Sequence, residues 1–553
     1  MIRSLIAPAG LLLTLVTAIA EPLAAQLEIV SAPRGRRLSA AQLDSPRCAP
    51  YTAPGEVRPV DGNLVTDLVM APARFRIGDS TYTRNVYNGQ YVAPVLRMSP
   101  TRALNVNVTN NMRPISPTDS SWRSTNQHYH GMIVTPLPPM GDNVTNVHIA
   151  AGQSNRNQFP VPSYQSEGMM WYHPHPHGTT AAQVAGGLAG ALIIGDLLAS
   201  YPQYRGATER VMYVKDTRDG GTAYLNINGN ACTLLAIAPG EQQLWRIGNM
   251  TPGTWLNLKL GRPGRNYPFI VLALDGNHLT RPARMDSVFI APGSRAEVIV
   301  IGGTGEWQHA RFYTDAVASS FSTTTGQVNR SPAVDLGALT TRGVLKAVAP
   351  EALAPETTAE NAALVDSIRR LVTEADVDTF TIRYQRVPGG LGLNGRLYDP
   401  RRLDRAVAVG RTQEWTLINE TNFLHTFHIH QTDFVVTRIN GVPQPDSVHL
   451  DNVHLGIHQR GGTGPWVGDT VVIRFKFTPI AAGPFVYHCH DLFHEDAGMM
   501  ANVCVYDPAR GQQPGTCTQW FPGGASAGGG GHGGHGSEES GASGAPAAVP
   551  PRE

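Results

Sequence analysis

The chain has 553 residues, too many for one ordinary domain and enough for about three. Its 44 Lys and Arg against 43 Asp and Glu leave a net charge of +1, which gives no electrostatic basis for a nucleic-acid or anionic-membrane partner. Charged residues make up only 16% while Gly (58) and Pro (42) abound, the composition of a turn-rich β protein.

Residues 1–20 carry Arg3 and then the apolar run LIAPAGLLLTLVTAIA, which reads as a secretory signal peptide with cleavage after Ala18-Ile19-Ala20 or after Leu23-Ala24-Ala25. The apolar core is short for a membrane span, so the expected location is secreted or periplasmic. Residues 21–60 have no period and are expected to form an N-terminal arm. Over 61–200, alternating runs such as LNVNVTN (104–110) and ALIIGD (191–196), separated by Gly, Pro and Asn turns, predict a first β-sandwich. RVMYVKD, AYLNING, LWRIGNM and RAEVIVI predict a second over 201–345. A linker at 346–375 opens with Pro355-Glu356-Thr357-Thr358 and continues with Ala, Leu and Arg at helical spacing, predicting a short surface helix. FTIRYQ, EWTLINE, FVVTRI, VVIRFKF and ANVCVYD predict a third sandwich over 376–510. The tail at 521–553 is Gly-, Ser-, Ala- and Pro-rich, with too few apolar residues to order itself, and its His532 and His535 read as part of a solvated segment. The fold class is therefore all-β.

Histidine spacing carries the chemistry. Four His-x-His pairs occur: His128/His130, His173/His175, His428/His430 and His488/His490. Side chains i and i+2 of a strand share a face, so each pair aims two imidazoles one way. Two pairs fall in the first predicted sandwich and two in the third, which places a shared cavity between those domains and leaves the middle one as a spacer. The last pair brackets Cys489, which the same alternation turns to the opposite face. Imidazole suits zinc, copper, iron or nickel, whereas a thiolate with two imidazoles and a weak thioether suits blue copper. His425, Cys489, His494 and Met499 supply such a set. A closed tetrahedral zinc site would leave the paired histidines unexplained. With Cys489 so used, Cys48, Cys232, Cys504 and Cys517 remain, and an oxidising compartment allows three pairings among them.

The segments HYHG (128–131), WYHPHPHG (171–178), HTFHIH (425–430) and HCHDLFHEDAGMM (488–500) resemble those of the three-domain multicopper oxidases: laccases, bilirubin oxidases and cuprous oxidases. The resemblance runs from about 60 to 507. It implies three cupredoxin-like Greek-key sandwiches and four copper ions. A type 1 copper would take His425, Cys489 and His494, with Met499 axial. A type 2 copper would take His128 and His428. A type 3 pair would take His130, His173, His175, His430, His488 and His490. The implied reaction is reduction of dioxygen to water, with electrons passing from Cys489 to its neighbours His488 and His490. Asp142 and Glu495 stand at positions the resemblance assigns to proton supply. His177, in line with the second pair, is expected beside the cluster or at the surface rather than on a metal, as are His148, His449, His454 and His458.

The chain lacks the methionine-rich insert of many cuprous oxidases, so a phenolic or other aromatic donor is expected, with dioxygen as acceptor and the protein acting as a monomer. Oxidation of cuprous or ferrous ion, or a secreted copper-binding protein without activity, are the alternatives. The loop at 438–468 is expected either to wall the donor pocket or merely to connect strands.

Overall fold

The structure, a computed structural model, describes residues 48–219, 222–262, 265–303, 309–331, 333–344, 359–444, 448–460 and 464–521. The expected signal peptide, residues 21–47 of the arm, the Pro355–Thr358 opening of the linker and the tail beyond Phe521 lie outside the described residues.

The alternating pattern builds the sheets. In the strand Ala103–Asn110, Leu104, Val106 and Val108 are buried while Asn105, Asn107 and Thr109 are half-exposed. Each such buried aliphatic side chain stabilises the fold by about 1.5–3 kcal/mol. This strand lies in a four-stranded sheet between Ser154–Pro160 and Leu64–Ile77, with Ser80–Tyr87 at the far edge. Opposite lies a five-stranded sheet in which β1 (His128–His130) is the edge strand and β2 (Met169–His173) its neighbour. Leu68, Val106, Tyr129, Tyr172 and Leu192 fill the core between these two sheets. A second sandwich, of a six- and a seven-stranded sheet, closes over Trp245, Phe269, Val298 and Phe312. A third closes over Trp415, Phe427, Phe475, Tyr487, Cys489 and Met499. Its five-stranded sheet runs Arg405–Ala408, Met500–Tyr506, Gly483–Cys489, His425–Ile429, Asn452–Leu455. In chain order its two functional strands are β3 (His425–Ile429) and β4 (Gly483–Cys489). The fold is all-β.

The three sandwiches repeat one plan. Ala103–Asn110 pairs in parallel with Leu64–Ile77, Gln242–Asn249 with Thr208–Asp219, and Thr412–Asn419 with Asp378–Val387. Each repeat contains an Asn-Gly turn, at 88–89, 228–229 and 394–395, with both residues at positive φ. That is the turn whose twist matches a tight antiparallel hairpin, and Asn and Gly tolerate it best. Each repeat also ends its central strand on a buried asparagine, Asn110, Asn249 or Asn419, whose side-chain oxygen accepts the N–H two residues on.

Three helices are α1 (Thr180–Gly186), α2 (Ala359–Thr373) and α3 (Leu492–Asp496), of which α1 and α3 carry residues of the site. The linker helix α2 docks on the third sandwich, with Ile368 and Leu371 against Val435. Arg474 Nη1 donates to the carbonyls of Val372 (2.6 Å) and Glu374 (2.9 Å), placing a cation at the helix C-terminus where the carbonyls need donors. Disulfides join Cys48 to Cys232 and Cys504 to Cys517, which selects one of the three open pairings, and Cys489 is free and buried. Among the described residues no helix is long and apolar enough to cross a membrane.

Candidate metal centre

Register brings the histidines together. In the antiparallel pair β1–β2, His128 stands opposite His173 and His130 opposite Trp171, while Tyr129 and Tyr172 turn into the core. In β3–β4, His428 stands opposite His488 and Phe427 opposite Cys489. One face of the third sandwich's sheet therefore carries His428 and His488, and the other carries Phe427, Cys489 and His425.

The two halves meet ring on ring. His128 stacks on His430 at 3.7 Å between ring centroids and 8° between planes, and His130 stacks on His428 at 3.7 Å and 9°. Three sets of ring nitrogens converge, each with all ligand atoms within 4.8 Å of one another: His128/His130/His428, His130/His173/His490 and His175/His430/His488. In the last set His488 Nε2 lies 2.9 Å from His175 Nε2 and 3.3 Å from His430 Nε2. Three imidazole nitrogens pointing at one spot suit a single cation.

A separate test of fit is polar satisfaction. His128 Nε2, His130 Nδ1, His173 Nε2, His428 Nε2 and both nitrogens of His490 are buried without a hydrogen-bond partner. Such groups cost free energy unless something else meets them, and a cation does. Burial pushes the paired rings well below the ordinary imidazole range, leaving them neutral and free to donate lone pairs.

On several of these rings the opposite nitrogen is anchored, which orients the ring. His128 Nδ1 lies 3.0 Å from Asp142 Oδ2, and Asp142 also accepts from Gln431 Nε2 at 3.2 Å. His428 Nδ1 donates to the Asp451 carbonyl at 2.7 Å, and His173 Nδ1 to the Pro174 carbonyl at 2.9 Å. His130 Nε2 lies 3.2 Å from Asp451 Oδ1. Glu495, from α3, reaches two rings of one set: Oε1 is 3.5 Å from His175 Nδ1 and Oε2 is 3.4 Å from His488 Nδ1. Thr180 of α1 donates to the same carboxylate at 2.9 Å. Burial raises Asp142 to about 7 and lifts Glu495 well above the carboxylate range, so each can hold a proton beside the cluster.

On the far face, Cys489 Sγ lies 3.4 Å from His425 Nδ1 and 3.7 Å from His494 Nδ1. Thr421 Oγ1 meets His425 Nε2 at 2.6 Å. Met499 is fully buried, and its backbone bonds to both Cys489 (3.0 Å) and His494 (3.0 Å). Asp491 caps α3 by accepting the N–H of Phe493, which sets the turn that returns His494 towards Cys489. Of this set only the His494 side chain reaches the surface, at 16% exposed.

Sequence reasoning missed several neighbours. Asp451 and Asn452 lie in the 438–468 loop, and that loop does not simply connect: Asn452 pairs opposite His428 on β3. The middle sandwich is not a spacer, because its Arg295 binds Asp451 through both terminal guanidinium nitrogens, at 2.8 and 2.6 Å. A lone Arg in RAEVIVI gave no local signal of this. His177 is exposed and packs edge-on to Tyr398, His458 bonds to Asp469, and His454 packs on Phe289; none joins the cluster.

Multicopper oxidase profiles match residues 72–198 and 366–509, the two segments that hold the paired histidines. The chain belongs to the multicopper oxidase family. It is 25% identical over 441 residues to a multicopper oxidase of Staphylococcus aureus, covering 76% of this chain and 83% of that protein. It is 26% identical over 409 residues to a laccase of Bacillus subtilis, covering 64% and 73%. The solved structure of a multicopper oxidase from Campylobacter jejuni, described as a metallo-oxidase, superposes with a TM-score of 0.65 at 22% identity, covering 86% of this chain and 99% of that one. The sandwiches are accordingly cupredoxin-like.

The buried rings also make the metal-free multicopper oxidase acid-sensitive. His175 sits at about 3 and His428 at about 4 when folded, against 6.5 when unfolded. Between these values the unfolded chain binds protons that the folded rings refuse, so stability falls as pH drops from 6.5 towards 4. Asp142, Asp275 and Asp433, each raised to about 7, together with the raised Asp404, Glu495 and Asp496, act in the opposite sense over the same window, but the depressed histidines outnumber them. Thermal melts of copper-stripped protein should show Tm decreasing through this range; a flat or rising Tm would contradict the assignment of neutral buried rings.

Proposed function

We propose that the protein couples one-electron oxidation of phenolic or other aromatic donors to four-electron reduction of dioxygen. His425, Cys489, His494 and Met499 would hold a type 1 copper, His128 and His428 a type 2 copper, and the other six paired histidines a type 3 pair. Copper supplies the one-electron redox steps. Four phenols each lose an electron and a proton, and one dioxygen gains four electrons and four protons to give two waters. One observation carries this reading: Cys489, at the end of its strand, turns its thiol to two imidazoles on one side, while its neighbours His488 and His490 enter the histidine cluster on the other.

The chain's own groups account for the rest. The backbone from Cys489 to His488 and His490 is a covalent path between the two centres. Asp142, hydrogen-bonded to His128, and Glu495, between His175 and His488, hold protons where oxygen is reduced. Asp451 and the Pro174 carbonyl orient rings, and burial keeps bulk water from the cluster. Secretion through residues 1–20 is part of the proposal, and the two disulfides support an oxidising compartment. Likeness to a metallo-oxidase keeps cuprous or ferrous ion as the second reading.

The test is oxygen uptake by copper-loaded protein with a phenol, with cuprous ion and with ferrous ion; saturable turnover of cuprous ion alone would overturn the aromatic assignment. Asp142→Asn should slow dioxygen reduction about 10²-fold or more while leaving the blue colour intact. Unchanged turnover in that variant would remove Asp142 from proton supply.

A further inference from the structure

The surface outside His494 has a chemistry of its own. Phe423 lies against the His494 ring, 5.7 Å between centroids. The Arg386 guanidinium lies over the Phe423 ring, its Cζ 4.5 Å from the ring centre. Asn422 Oδ1 accepts from Arg386 Nη2 at 3.3 Å and so tethers the guanidinium over the ring. Phe321 of the middle sandwich bonds to the Asn422 carbonyl through its N–H at 3.0 Å and stacks against Trp466, and Phe493 beside His494 is 41% exposed.

The charges around this platform are unequal. Arg386 is exposed, and no described carboxylate lies within ion-pair distance of it. Glu420 is held by Arg383 and Gln385. Asp491 is buried and accepts backbone N–H groups of α3. An aromatic pair, its rings tilted by 51°, beside a guanidinium with no ion-pair partner among the described residues suits an aromatic donor bearing an anionic substituent: the donor ring packs against His494 and Phe423 while a carboxylate or sulfonate takes the free N–H donors. The same charge opposes the approach of cuprous or ferrous ion.

Resting on the oxidase reading above, we infer that Arg386 and Phe423 form the donor-recognition surface and select anionic aromatic donors over neutral aromatics and metal cations. The donor gives one electron at the exposed edge of His494, and its anionic group stays on Arg386 unchanged.

The experiment compares copper-loaded wild type with Arg386→Gln and Arg386→Glu on three donors: a sulfonated azino-bis-benzothiazoline, neutral 2,6-dimethoxyphenol and ferrous ion. Arg386→Gln should raise KM for the sulfonate about three- to tenfold relative to the neutral phenol, with kcat little changed. Arg386→Glu should extend that loss and improve ferrous turnover, and the wild-type preference should shrink in high salt. Calorimetric titration with redox-inert 2-naphthalenesulfonate gives a readout free of turnover: wild type should bind it and Arg386→Glu should not. Equal KM ratios across the variants, or equal naphthalenesulfonate binding, would overturn the inference. Absence of oxygen uptake with every donor would instead sink the oxidase reading, and the titration would still judge the anion site.

Discussion

Cys489→Ser is expected to abolish the blue colour and donor-driven oxygen uptake while leaving the fold and the histidine cluster in place. The side chain is fully buried in the third core, beside Phe427 and Met499. Serine nearly preserves its volume, and burying its hydroxyl should cost about 1–3 kcal/mol, which a domain of ordinary stability tolerates. The chemical change is large. A thiolate is the ligand that gives a blue-copper site its character, and an alcohol does not replace it. Burial pushes the free thiol up, so in the metal-free protein the sulfur is protonated and copper must displace that proton. Copper content should fall by about one ion per chain, because the eight paired histidines do not use the sulfur. Metal analysis with electron paramagnetic resonance checks this: persistence of the blue-copper signal, or loss of all copper, would contradict the separation of the two centres.

The second large effect is expected at Arg295. This arginine is fully buried and ties the three sandwiches at one point. Its Nε donates to the Met169 carbonyl of the first sandwich, its Nη2 to the Asp275 carbonyl of the second, and its two terminal nitrogens to Asp451 of the third. Asp451 in turn touches His130 through its carboxylate and His428 through its carbonyl. Arg295→Met leaves the Asp451 carboxylate buried without its cation, which should cost about 3–5 kcal/mol of stability. Disturbing the anchor of two ring ligands should weaken copper retention about 10- to 100-fold. The double variant Arg295→Met/Asp451→Leu separates these effects. Replacing a buried ion pair by apolar groups of similar size restores stability in many cases, so Tm should recover. Copper retention should recover only in part, because His130 Nε2 then keeps Asn452 Nδ2 at 3.0 Å but has lost the carboxylate. Full recovery of both would mean that Asp451 acts on stability alone.

Much of this was legible in the chain. Alternation in LNVNVTN and EWTLINE names the buried face of each strand because period two is a local property of the backbone. The His-x-His spacing names the cluster residues for the same reason, and Cys489 between two histidines implies two faces. The Asn-Gly turns at 88, 228 and 394 were equally readable, although a fourth at 440–441 has the same backbone outside the repeat.

Contacts across hundreds of residues were not legible. Nothing near Arg295 announces Asp451, which lies 156 positions away, and nothing near Cys48 selects Cys232 over Cys504 or Cys517. Alternation fixes the face a side chain points to, but which other face it meets depends on how sheets pack and which domains touch. The sequence by itself thus determined strand identity, ligand chemistry and the two-sided strand at Cys489. Only the tertiary structure decided that His128 stacks on His430, that the middle sandwich reaches the cluster, and that a guanidinium lies over Phe423 beside His494. These depend on the packing of three separately patterned cores against one another, which local periodicity does not encode.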